Sequence, residues 1–283
     1  MEMNANTMDQ ASLEFSELTR SQLPALHLLQ NLGYTYLSPR EALALRGGRA
    51  DAVLLESVLL DWLARNNEIQ YHGQRYPFSE ANIHTAVQVL KETLSIGLLR
   101  TNESIFDLLS LGKSLPQSID GNLKSFSLRY IDWEHPEKNV YHVAEEFAVE
   151  RRGSHETRRP DLVLFVNGIP FGVIECKSPD LKDPIAQAIS QQIRNQKEDE
   201  IPALFQYAQL LLAVSGNEAS YATVGTPAKF WSVWKEESGE FEKAVKATVD
   251  QPLSRSQIQA LYDAFPGRHR MEAVNSLNLP RAV

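Results

Sequence analysis

The sequence predicts an α/β fold: a mixed central sheet flanked by helices, with an N-terminal helical portion. Three observations predict it. Apolar residues at positions 52, 55, 59, 60 and 63 recur at helical spacing near the start of the chain. The run Leu162–Val166 is apolar on both faces, the pattern of a covered central strand. A series of strands then gives way to a helix opening at Asp183-Pro184, the order of a sheet with helices laid on its faces.

Taken in order, residues 1–12 are polar and acidic and are expected to be disordered. A first helical region runs from Ser16 toward Asn31 and ends near Gly33. The next helix, Asp51–Ala64, carries Glu56 inside its apolar stripe, where a carboxylate is costly without a partner or a metal. Residues 83–109 have helix and loop character. Strands are expected at Phe126–Trp133, at Val140–Val149 and at Leu162–Val166, followed by an apolar run ending in Glu175-Cys176-Lys177. In the helix beyond, Asp183 is the N-cap acid and Pro184 takes the first helical position. Ile185, Ile189 and Ile193 form its core ridge, with Ala188, Gln192 and Gln196 on the neighbouring one. Leu210–Ser215 and Tyr221–Val224 read as strands turning at Gly216-Asn217. Pro227–Trp234 is an aromatic-rich connection, and Ser254–Phe265 a last helix with Ile258, Leu261 and Tyr262 on one side. The expected organisation is a start at 1–12, a body at 13–240 and a helical linker at 241–283.

Composition narrows the class. At 283 residues, 43% hydrophobic and 23% charged, the chain reads as a soluble globular protein. Its one cysteine rules out an internal disulfide and points to the cytoplasm. No apolar stretch is long enough to span a membrane, and the polar start is no secretory signal. The net charge of −8 is awkward for a nucleic-acid binder, which usually shows a basic field. Locally the balance reverses: Arg151, Arg152, Arg158 and Arg159 crowd the approach to Asp161. They are either a phosphate grip or a solvated loop.

The chemistry concentrates between residues 161 and 177. Alternate side chains on a strand share a face, so Glu175 and Lys177 point one way and Cys176 the other. Asp161 sits at the mouth of the preceding strand. Two carboxylates and an ammonium brought together there can hold a hard divalent cation and a water. A surface salt bridge between Glu175 and Lys177 is the plainer alternative. Parity sets a condition. A regular two-residue turn at Asn167-Gly168 places Asp161 opposite Ile174, facing away from Glu175. A shared site needs an odd-membered turn, most simply Asn167-Gly168-Ile169, or a bulge. The Cys176 thiol itself reads as a buried small hydrophobe.

The stretch RRPDLVLFVNGIPFGVIECKSP, Arg158 to Pro179, resembles the nuclease motif of the restriction subunit of type I restriction enzymes. That subunit belongs to the PD-(D/E)xK superfamily, and the similarity extends over about Glu14 to Trp234. The resemblance implies a restriction-endonuclease-like fold and a Mg²⁺-dependent DNA endonuclease with little sequence preference of its own. Asp161 and Glu175 match the metal-binding carboxylates, the carbonyl of Cys176 a further metal ligand, and Lys177 the catalytic lysine. Glu56 takes the place of an additional acid from an early helix, and Gln192 that of the glutamine in a Gln-x-x-x-Tyr motif. Here glutamine stands at 196 where the family has tyrosine. Implied partners are double-stranded DNA and the methyltransferase and specificity subunits of a restriction complex. ATP enters only through a motor domain outside this chain, which contains no G-x-x-x-x-G-K-[ST] phosphate loop. Another nuclease of the superfamily, or a non-catalytic assembly module, are the alternatives.

Overall fold

In a computed structural model of the chain, the described residues are 17–92, 96–216, 218–235 and 239–265. The expected start at 1–12 and the end of the expected linker, 266–283, lie outside them. A π-helical turn, Leu18–Gln22, runs directly into α1 (Leu23–Asn31). Next come β1 (Thr35–Leu37) and α2 (Pro39–Leu45), the latter opened by a capping box between Ser38 and Glu41. α3 (Glu56–Asn66) leads to the hairpin β2 (Glu68–Tyr71) and β3 (Gln74–Pro77). α4 (Glu80–Lys91) and α5 (Leu98–Leu111) precede a second hairpin, β4 (Lys113–Ile119) and β5 (Asn122–Leu128). Then follow β6 (Tyr141–Glu145), β7 (Val149–Glu150), β8 (Thr157–Arg158), β9 (Leu162–Val166) and β10 (Ile169–Cys176). The last elements are α6 (Pro184–Asn195), the short α7 (Pro202–Phe205), β11 (Leu210–Ser215), β12 (Glu218–Ala222), β13 (Ser232–Val233), α8 (Glu240–Val249) and α9 (Arg255–Asp263).

The central sheet is mixed and seven-stranded, in the order β1-β6-β9-β10-β11-β12-β13. β1 runs parallel to β6 and β10 parallel to β11; the other neighbours are antiparallel. All five residues of β9 are buried, as a strand covered on both faces requires. Its side chains alternate between two cores. Val163 and Phe165 pack with α3, α4 and α6, while Leu162 and Leu164 pack with α1 and α9.

Several boundaries differ from the sequence expectation, each for a physical reason. The expected strand Phe126–Trp133 becomes the second arm of the β4–β5 hairpin, outside the main sheet. Tyr130 is instead buried in a connection, donating its hydroxyl to Ala86 O. The expected strand Val140–Val149 breaks after Glu145, where Glu146 adopts φ 48° and its N–H turns to Asp161 O. The helix expected from Asp51 starts only at Glu56, because Leu55 N is held by Gly168 O at 2.8 Å. Asp183 occupies the N-cap of α6 with φ 54°, but its side chain makes no capping bond.

The β9–β10 hairpin resolves the parity question. Val166 pairs with Ile169, so the turn is the two-residue Asn167-Gly168, both at positive φ, and not the odd-membered turn. A bulge then places Phe171 outside the ladder. Beyond it Gly172 pairs with Leu164 and Ile174 with Leu162, so the register carries Asp161 opposite Glu175.

The turn is also a packing hub. The Asn167 side chain accepts from Val140 N and donates to Tyr130 O and Asn139 Oδ1. Gly168 lies so close to the start of α3 that a Cβ there would meet Leu55 O at 2.5 Å, on a residue with φ 82°. Gly168→Ala is therefore expected to lower unfolding free energy by roughly 2–4 kcal/mol, from left-handed strain plus a backbone clash. Urea denaturation measures this, and a loss within experimental error would contradict the packing described.

Candidate active site

The bulge brings Asp161 and Glu175 onto one row, and further groups converge there. Cys176 N donates to Asp161 Oδ2 at 2.6 Å, joining the mouth of β9 to the end of β10. Both carboxylates are buried, at 7% and 0% exposure. Burial raises the pKa of Asp161. Burial together with the charge of Asp161 lifts Glu175 well above the usual carboxylate range. Two desolvated carboxyl groups side by side do not both ionise cheaply.

Lys177 closes the cluster. Its Nζ donates to Cys176 O at 2.8 Å and lies 3.9 Å from Asp161 Oδ2 and 3.6 Å from Glu17 Oε2. Burial works against its charge, but Asp161, Glu17 and Glu175 outweigh it and hold its pKa above the ordinary value. Cys176 is a fully buried thiol whose pKa burial pushes well up, which leaves it inert as a nucleophile.

Glu17 was missed by sequence reasoning. Its pKa is raised by burial against the pull of Lys177. It sits at the N-cap of the π-helical turn, and that turn is fastened to the site at further points. Ser21 Oγ donates to Lys177 O at 2.8 Å and accepts from Gly216 N at 3.0 Å, clasping the ends of β10 and β11. Gln22 Nε2 and the Tyr36 hydroxyl both donate to the fully buried Glu145 on β6. Short π segments are frequent at functional sites. The available signal was an acid at the start of the first helix, but the letters show neither the π turn nor what it packs against.

On α6 the geometry separates two adjacent glutamines. Gln191 Nε2 donates to Glu175 Oε2 at 2.6 Å, and Asn195 Nδ2 to Glu175 Oε1 at 3.4 Å. Gln192, the expected functional glutamine, is fully buried and turned into the sheet, where its Nε2 donates to Val173 O and Leu212 O. Gln196 donates to Gln192 O and accepts from Gly225 N. The pair spaced by four that faces the site is thus Gln191 and Asn195.

Glu56 is not brought to this cluster. It occupies the first turn of α3 and pairs with Lys91 at 2.5 Å, both side chains partly exposed. It lines a cavity of about 710 Å³ together with Arg46, Arg49, Asp51 and Tyr207, and none of Asp161, Glu175 or Lys177 lines it. The four arginines divide. Arg158 grips the buried Glu200 with two bonds, Nε at 2.5 Å and Nη2 at 2.8 Å. Arg151 contacts Glu156, Asp199 and Glu200, and Arg152 contacts Glu198 at 3.4 Å. Arg159 is exposed and has no ion pair among the described residues.

Among the described residues no three His, Cys, Asp or Glu side chains are grouped for a metal. The available donors are the carboxylates of Asp161 and Glu175 and the carbonyl of Cys176, which already accepts from an ammonium. An all-oxygen set with two carboxylates suits Mg²⁺, which keeps several waters and uses few protein ligands.

Residues 14–230 match the profile of the family described as type I restriction enzyme R protein N terminus. The putative type I restriction enzyme MjaIXP endonuclease subunit of Methanocaldococcus jannaschii is 30% identical over 218 residues, 75% of this chain and 20% of that protein. The type I restriction enzyme HindI endonuclease subunit of Haemophilus influenzae is 25% identical over 215 residues, 74% of this chain and 19% of that protein. The chain thus spans about a fifth of the length of these curated relatives.

The buried carboxylates generate a pH prediction. A group whose pKa is raised by folding contributes stability below its unfolded value and loses it as pH rises through the folded value. In EDTA, Glu175→Gln is therefore expected to gain stability relative to the unmodified chain as pH rises above about 4.3, the ordinary glutamate value. Chemical denaturation at several pH values measures the gap, and a gap independent of pH would contradict the assignment.

Proposed function

Since this chain belongs to the family of type I restriction enzyme R protein N termini, we propose that it is the DNA-cleaving module of such an enzyme. Its reaction is Mg²⁺-dependent hydrolysis of DNA phosphodiesters at a PD-(D/E)xK site. The observation that supports this most directly is the row that sets Asp161 against Glu175, with Lys177 Nζ on the Cys176 carbonyl beside them.

Asp161, Glu175 and the Cys176 carbonyl would hold the ion. When bound, Mg²⁺ polarises a phosphate oxygen and lowers the pKa of a coordinated water. The residues of the chain do the rest. Lys177, kept protonated by the surrounding acids, offers positive charge to the phosphate and orients the attacking water. Gln191 and Asn195 fix the Glu175 carboxylate from above the sheet. Glu17 anchors the lysine from the opposite side. Arg159, exposed two residues before Asp161, meets the DNA backbone. Glu56 and Gln192 serve the fold in this reading, through Lys91 and the sheet carbonyls.

No helix among the described residues is long and apolar enough to cross a membrane. The setting we propose is a cytoplasmic restriction complex, in which methyltransferase and specificity subunits select the target. In this reading ATP-driven motion is not a task of the residues of this chain. Cutting by this module then needs little sequence preference of its own, because no base-reading element is required of it.

Plasmid cleavage by the assembled complex tests the assignment. Asp161→Ala and Glu175→Ala should abolish cutting, with the fold intact or slightly more stable once a buried charge is gone. Lys177→Ala should lose the chemical step while retaining Mg²⁺ or Mn²⁺ binding by calorimetry. Chelation with EDTA should stop the reaction. Undiminished cleavage by either carboxylate variant would end the assignment at this site.

A further inference from the structure

α6 carries one more group toward the site. Residues three and four apart share a helix face, so Gln191, Arg194 and Asn195 lie together on the side that reaches Glu175. Arg194 is exposed, and its Nε and Nη2 both donate to Asn195 Oδ1, at 3.4 and 3.2 Å. That pair of N–H groups is an edge able to grip a carboxylate or phosphate with two parallel bonds. Arg158 uses the same edge on Glu200, at 2.5 and 2.8 Å. On Arg194 it holds only a neutral amide oxygen at long range, and no carboxylate pairs with it among the described residues. Asn195, the residue it touches, is in turn bonded to Glu175, and the acidic stretch at 198–200 follows α6 in the chain.

The site needs such a cation. Asp161, Glu175 and Glu17 surround a single ammonium, and a DNA phosphate approaching them meets a negative field. Arg151, Arg152 and Arg158 are already engaged by Glu156 and the acids at 198–200.

We propose that Arg194 is a substrate-binding residue, whose Nε and Nη2 exchange the Asn195 amide oxygen for oxygens of a DNA backbone phosphate beside the Asp161–Glu175 row. Asn195 keeps its own bond to Glu175 through Nδ2, so phosphate capture leaves that carboxylate in place. The inference rests on the nuclease reading and assigns it a specific contact.

The test is fluorescence anisotropy of the 283-residue chain with a labelled duplex, in Ca²⁺, over a series of salt concentrations starting low. Arg194→Ala should bind about tenfold more weakly, with a salt slope shallower by about one. Its thermal midpoint should stay unchanged, and Arg194→Lys should recover part of the affinity. In the assembled complex, KM for DNA should rise more than kcat falls. An unchanged affinity and slope would overturn the inference, as would loss of cutting with binding intact, the mark of a residue that merely props Asn195. No detectable binding by the unmodified chain at low salt would overturn it too. Failure of the nuclease reading shows separately, as cutting that survives Asp161→Ala.

Discussion

The bond from Cys176 N–H to Asp161 Oδ2 is the constraint on which the rest of the site depends. It exists because one residue, Phe171, is squeezed out of the β9–β10 ladder. Without that bulge the pleat would turn Asp161 toward the core packed by α1 and α9, and Glu175 would face α6 alone. With it, two carboxylates from antiparallel strands share a row, and the lysine at the strand end reaches back across them. The hairpin is held at its other end by Gly168 against α3 and by Asn167 in a net of buried amides. A rigid turn at one end thus fixes the placement of the acids at the other.

Around this hairpin the fold brings up supports from distant parts of the sequence. The π-helical turn supplies Glu17, Ser21 and Gln22, and α6 supplies Gln191, Arg194 and Asn195. The two sets approach from opposite faces of the sheet. Buried acids make the cluster costly to the fold, since burial raises Asp161 and Glu175 alike.

Much of this was legible in the letters, and the rest had identifiable reasons to be hidden. The double-faced apolar run of β9, the E-x-K triplet and the Asn-Gly turn follow from period-two patterning and turn chemistry. The shared row was readable only as a condition, because sequence does not show which residue a bulge expels. Gln192 and Gln191 are neighbours with the same side chain, and only the pitch of α6 against the sheet separates a structural amide from one that touches Glu175. Glu56 looked buried because the helix was expected from Asp51. Once Leu55 is pinned to Gly168, that residue falls in a partly exposed first turn beside Lys91. The arginine cluster was visible, but apart from Glu156 its counter-ions, the acids at 198–200, are more than forty residues on in the chain and meet it only after folding.

The Phe171 bulge also bears on how the hairpin can vary in length. Because side chains alternate, the spacing between the two acids is counted in whole residues rather than in distance. Losing or gaining one residue between them would rotate one acid to the wrong face while leaving a foldable apolar hairpin. Changes of two would keep the phase. Lineages of such a domain are therefore free to lengthen or shorten this hairpin only in even steps, unless a second bulge appears or disappears at the same time.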